Sequence, residues 1–247
     1  MSANLVVGAN QIDRIIENPV NLLVEYRKIG DTGYEYLKYQ PTTPTPSNAL
    51  LPEDLAVTLL VSSKAGYRAF QSLRDFGKTI DLDSLPRKAL EQITDNELGY
   101  VAQVISKIAN WKGFGASLAT KVLHKKRPDL IPILDNQAIF GAYMNPNWPD
   151  KPSSQETIKN PKTIEKALRW IRYDLVRPEN NTIWPVLKKV EPTYSLIELF
   201  DSVWWVYFRD KEPVKNRLPF RVKVLHIPII HKAETDAWLA RVVEFIL

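Results

Sequence analysis

The chain has 247 residues, 45% of them hydrophobic, a formal net charge of +5 and no cysteine. That apolar content excludes a mainly disordered chain and supports one large core or two smaller ones. The absence of thiols excludes disulfides, Cys-ligated zinc and iron–sulfur clusters. Three scattered histidines, His124, His226 and His231, leave little material for a metal site or a Ser-His-Asp triad. No metal or cofactor is therefore expected.

No apolar run approaches the roughly 18–20 residues that span a bilayer, and the opening MSANLVVGANQID lacks a basic start followed by an apolar core. A cytoplasmic monomer without membrane contact is expected. Nine Gly against 18 Pro suggest helix stops and stiff loops more than tight turns, so the fold class read from composition is mostly α.

In chain order, residues 10–28 carry Ile12, Ile15, Ile16, Val20, Leu23 and Val24 at helical spacing interrupted at Pro19, which predicts one kinked helix or two short ones. The prolines of 41–47 exclude a regular element and predict a linker or surface loop. Pro52, Glu53 and Asp54 open a buried helix carrying Leu55, Val57, Leu59, Leu60 and Val61. Helices are predicted over 65–76 and 86–93. Asp95 is the expected cap of the next helix, whose apolar face is Leu98, Val101, Val104, Ile105 and Ile108 and which ends near Trp111. A short helix over 136–144, a loop over 145–159 and a helix over 163–174 follow. Residues 196–208 are apolar on nearly all sides and predict a central helix. A short β segment is expected over 220–230 and a terminal helix over 234–247.

Two features bear on function. Gly113 and Gly115 flank Phe114 between two helical patterns, and glycine permits the positive φ and close backbone approach of a tight helix-to-helix turn. Phe114 would plug that turn. The second helix starts near Ala116, and its free N–H groups and dipole would receive a phosphate. Residues 98–128 contain no acid but carry Lys107, Lys112, Lys121, Lys125, Lys126 and Arg127. Such a run is either a solvated face or a phosphate-binding surface.

From Gly113 to Asp135 the sequence resembles the helix-hairpin-helix DNA glycosylase superfamily: a G-h-G hairpin, a helix with small residues, and a closing Pro132-Ile-Leu-Asp135. Ser117, at the hairpin's active-site position, precedes Asp135 by 18 residues. The closing element looks like that of adenine glycosylases acting opposite oxidised guanine. The Lys126 to Asp135 stretch is also similar to a poorly characterised bacterial group related to the superfamily. The close match covers 111–143.

The resemblance implies a mostly α, two-lobed glycosylase-like fold. Residues 1–50 would be an N-terminal helical segment and linker, 51–210 the glycosylase-like domain and 211–247 an extension packed on it. It implies duplex DNA as partner, contacted by Lys112, Gly113, Phe114, Gly115, Ala116, Lys121 and Lys125. Asp135 would stabilise positive charge on the sugar of a flipped-out nucleotide and activate the attacking water, in a base-excision DNA-repair hydrolase. Bifunctional members carry lysine where this chain has Ser117, which cannot form an imine, so strand cleavage is not expected. Two alternatives stay open: a non-catalytic helix-hairpin-helix DNA-binding protein, and a structural or interaction protein in which the hairpin is only a corner. Asp135, directly before residues 136–140, is also a good cap for the helix that follows it, and both roles can coexist in one residue.

Overall fold

The structure is a computed structural model, and it describes residues 4–9, 12–28, 37, 47–59 and 65–211. The strand expected over 220–230, the helix over 234–247, His226, His231, Leu60, Val61 and nearly all of the 41–47 loop lie outside the described residues. The fold is mostly helical. No helix among the described residues is long and apolar enough to cross a membrane.

The N-terminal segment, expected to be helical, begins with two strands. Leu5–Ala9 (β1) and Ile12–Ile16 (β2) form an antiparallel hairpin with Leu5 opposite Ile16 and Ala9 opposite Ile12. Ile12, Ile15 and Ile16 fit a helical period, but five residues are too few to offset helix nucleation, and β1 offers an apolar strand to pair with. Ile16 is fully buried while its neighbour Ile15 is 61% exposed, the alternation of a strand. Pro19 does not kink a helix; it opens α1, Pro19–Lys28, at the position where its missing N–H costs nothing.

Pro52–Leu55 is a 3₁₀ turn leading into α2, Ala56–Leu59, and Asp54 accepts the Leu51 amide at 2.7 Å. Helix α3 spans Tyr67–Phe76. The helix expected over 86–93 is absent apart from one 3₁₀ turn, Leu90–Gln92, because the Leu90 amide is taken by the Asp129 carbonyl at 2.9 Å. Helix α4, Asp95–Ala109, is capped by Thr94 and not by Asp95: Thr94 accepts the Glu97 amide while Glu97 returns to the Thr94 amide at 2.7 Å. Asp95 instead binds Arg169 and Arg172 of the helix Pro161–Val176.

Helix α5 spans Ala116–Lys126. The short helix expected over 136–144 is a π-helical turn, Ala138–Tyr143. Within the segment read as a loop lies α6, Gln155–Lys159, and then come α7, Pro161–Val176, α8, Ile183–Val190, and α9, Leu196–Lys211.

As expected, α9 is central. Ile197, Leu199, Phe200, Val203, Trp204 and Val206 are buried, with α1, α7, α8 and the π turn around it. Helices α4 and α7 pack against each other beside it. The β hairpin docks on α7 and on the 3₁₀ turn after it, Pro178–Asn180, through polar groups: Asn180 bonds both backbone groups of Val6, at 2.8 and 2.7 Å, as a neighbouring strand would. Asp174 accepts the Gly8 amide at 3.0 Å and the Tyr143 hydroxyl at 2.6 Å, and burial pushes its carboxyl up to about 7. Arg177 grips both oxygens of Asp13 at 3.0 Å.

Candidate nucleic-acid interface and active site

The hairpin forms where two glycines predicted it, but for unequal reasons. Gly113 has φ +85°, and a Cβ there would lie 2.5 Å from the Ala69 amide nitrogen at the start of α3. Both the torsion and the contact require glycine. Gly115 is extended, and a Cβ there would come no closer than 3.9 Å to Gln155 Oε1. Phe114 is 8% exposed and packs edge-on against Trp111 at 5.6 Å, the plug expected. Ser72 of α3 donates to the Lys112 carbonyl at 2.8 Å. Lys112 and Gly113 are exposed, Gly115 and Ser117 half-buried and Ala116 buried.

The acid-free basic run divides. Lys107 and Lys112 are exposed. Lys121 is buried; burial pushes its ammonium down, and the charge of Asp135 opposes that shift. Lys125 donates to the Leu37 carbonyl at 3.0 Å, and burial lowers it to about 8 against the pull of Glu198. Lys126 pairs with Asp54 at 2.8 Å, with side-chain exposures of 5% and 8%. Arg127 donates to the carbonyls of Leu82 and Ser47. Lys125, Lys126 and Arg127 thus hold α5 to the rest of the protein.

The segment leading to Asp135 is held from two sides. On α5, His124 Nδ1 donates to the Ile131 carbonyl at 2.6 Å, and Thr120 Oγ1 accepts the Leu134 amide at 3.0 Å. On α9, Asp201 accepts the Ile133 amide at 3.2 Å. Pro132, between them, has no N–H to satisfy. Asp135 then accepts the amides of Gln137 at 2.8 Å and Ala138 at 3.0 Å on Oδ1, capping the π turn, while no described residue bonds to Oδ2. Asp135 itself is half-buried.

Behind this clamp lies a polar cluster. His124 Nε2 is 3.7 Å from Glu198 Oε1. Burial alone would raise Glu198, but the His124 ring and the Ser195 amide outweigh it and hold the carboxyl below its usual range. Burial pushes Asp201 up to about 7, with His124 and the Ile133 amide opposing and the charges of Glu198 and Asp135 adding to it.

Ser117, Lys121 and His124 recur at helical spacing on α5, which brings Ser117 and Lys121 to one face, and Lys121 senses the charge of Asp135. The arrangement supplies a carboxylate with one oxygen fixed and one open, and an ammonium weakened by burial. Sequence reasoning missed Thr120, His124, Glu198 and Asp201 as partners of the Asp135 segment. Two signals carried them: polar groups every three or four residues along α5, and two acids three apart in the apolar run of α9. Trp204 is core, donating to the Ala138 carbonyl at 3.0 Å, and Trp205 packs on Tyr26. No group of three or more His, Asp or Glu residues among the described residues is arranged to hold a metal.

Two cavities stand out among the described residues, of about 620 and 300 Å³, and neither is lined by Asp135 or by the hairpin. No curated protein and no solved structure matches the chain. Residues 20–207 match the profile described as a family of unknown function, DUF6308, and the chain belongs to that family.

Proposed function

We propose that this chain is a two-lobed, glycosylase-like DNA-repair protein of the helix-hairpin-helix type. It holds duplex DNA by the amides of 113 and 115–117, that of Phe114 being bonded to the Trp111 carbonyl at 3.0 Å, and by Lys112, and it hydrolyses an N-glycosidic bond at Asp135. Lys121 and Lys125 face inward in this reading and leave the backbone contact to the hairpin. Departure of the base leaves positive charge on the sugar. The open oxygen of Asp135 stabilises that charge and takes a proton from the water that attacks the anomeric carbon. The observation that supports this is the clamp: an α4–turn–α5 hairpin whose second helix, through Thr120 and His124, binds the very segment that ends in Asp135. A cytoplasmic location accompanies the reading.

The test is Asp135→Asn. Asparagine keeps an acceptor for the Gln137 and Ala138 amides and loses only the charge. Duplexes carrying assorted lesions should yield alkali-labile sites with the native protein, and the variant should lose at least about 100-fold in rate at unchanged thermal stability. Equal rates would sink the catalytic assignment. Borohydride should trap no adduct at Ser117, which cannot form an imine.

A second reading has its own support. Asp135 spends Oδ1 on the cap and lines neither cavity, as in a DNA-binding protein that does no chemistry. Salt-sensitive duplex binding without excision across the lesion panel would select it. Absence of duplex binding would remove both readings.

A further inference from the structure

We propose that the 620 Å³ cavity between the 145–154 loop and α7 is a phosphate-binding pocket, and that its ligand is the backbone of a nucleic-acid strand lying beside the hairpin. Its lining contains no acid and is bordered by Lys151, Lys162 and Lys166. All three are exposed, and none is ion-paired with any described residue. Glu165, next to Lys166, pairs with Arg169 at 2.8 Å. The Asn147 side-chain amide and the Thr163 hydroxyl, also in the lining, bond to no described residue. Lys162 and Lys166 repel each other one turn apart on α7. An anion between them removes that repulsion.

Three ammonium groups with amide and hydroxyl donors match a ligand of several negative charges better than a single carboxylate. The cavity volume is that of ordinary ligand sites. The first amides of α7 are not part of the site, since Asn160 accepts the Lys162 amide at 2.9 Å.

Position points to a nucleic-acid strand. Helix α6 is the shared wall. Its Thr157 lines the cavity, its Gln155 is the nearest group to Gly115, and its Lys159 carbonyl receives Ser106 at 2.7 Å and Asn110 at 3.5 Å from the end of α4. One helix, about 10 Å across, separates hairpin and cavity. The identity of the strand rests on the proposed function. The phosphate chemistry of the pocket does not.

The test uses the whole chain, the triple variant Lys151→Ala/Lys162→Ala/Lys166→Ala, and Lys112→Ala in the hairpin. Two probes are used: inorganic tripolyphosphate by calorimetry and a fluorescent 20-base-pair duplex by anisotropy. The triple variant should lose tripolyphosphate affinity by at least tenfold, whereas Lys112→Ala should keep it. The triple variant's duplex affinity should fall about 10- to 100-fold, with the log–log salt slope shallower by about 3. If the native chain ignores tripolyphosphate, or the triple variant binds it equally well, the pocket assignment is overturned. If the lysines govern tripolyphosphate but the native chain ignores duplex, the pocket stands for a small phosphorylated molecule and the glycosylase-like reading falls. If the native chain binds duplex and the triple variant matches it, the strand is overturned as the ligand while the DNA reading survives.

Discussion

Two sets of cations in this protein have opposite fates. Lys121, Lys125, Lys126 and Arg127 lie in the most basic stretch of the sequence, yet they are buried or half-buried and engaged with carbonyls, Asp54 or the field of Asp135. Lys151, Lys162 and Lys166 are scattered among prolines, asparagines and acids, yet they stand exposed around one acid-free cavity. Charge density along a sequence therefore says little about where positive potential meets solvent. What decides it is whether a helix's basic residues lie on the face that packs.

The sharpest way to break this contrast is to truncate one member of each set. Lys126→Ala removes the buried ammonium that sits 2.8 Å from the Asp54 carboxylate, and should cost about 3 kcal/mol in denaturant unfolding. Lys162→Ala should stay within about 0.5 kcal/mol of the native chain. Similar losses in both would mean that the buried set is not structural.

A pH experiment sharpens the same point. The folded state holds Lys125 near 8 against 10.5 for a free lysine, so between those values the unfolded chain binds more protons and stability rises with pH. At 1.36 kcal/mol per unit the ceiling is about 3 kcal/mol. Lys125→Met should flatten the rise in unfolding free energy between pH 8 and 9.5, whereas Lys166→Met should leave it intact. An unchanged slope in Lys125→Met would place that ammonium in water.

The hairpin allows a smaller test of the same kind, since its glycines differ as the cations do. Gly113→Ala meets a positive φ and the Ala69 amide, and should cost about 1–3 kcal/mol. Gly115→Ala has extended backbone and an open neighbourhood and should be tolerated. Equal melting temperatures for the two variants would contradict the assigned geometry.

Much of the helical framework was legible because its signals are local. The apolar periods of α4 and α9, the glycines of the hairpin and the capping carboxylate of Asp135 each act within a few residues of themselves. The errors were equally local in origin. Ile12, Ile15 and Ile16 satisfy two periods at once, and only the pairing with β1 chose the strand. Pro86 to Ile93 looked helical until Asp129, far along the chain, took the Leu90 amide. Thr94 outcompeted Asp95 as the cap because Glu97 completes a reciprocal pair with it, and Arg169 and Arg172 give Asp95 other work.

The sequence by itself determined the hairpin with its plug, the helices on either side, the central apolar helix and the cap at Asp135, since backbone torsion, period and side-chain reach are properties of neighbours. Tertiary structure alone decided which lysines face water, that Thr120, His124 and Asp201 hold the segment before Asp135, and that Lys151 joins Lys162 and Lys166 at the border of one cavity. Those relations join residues up to 68 positions apart. Nothing in the chemistry of one short segment can report what another brings to it.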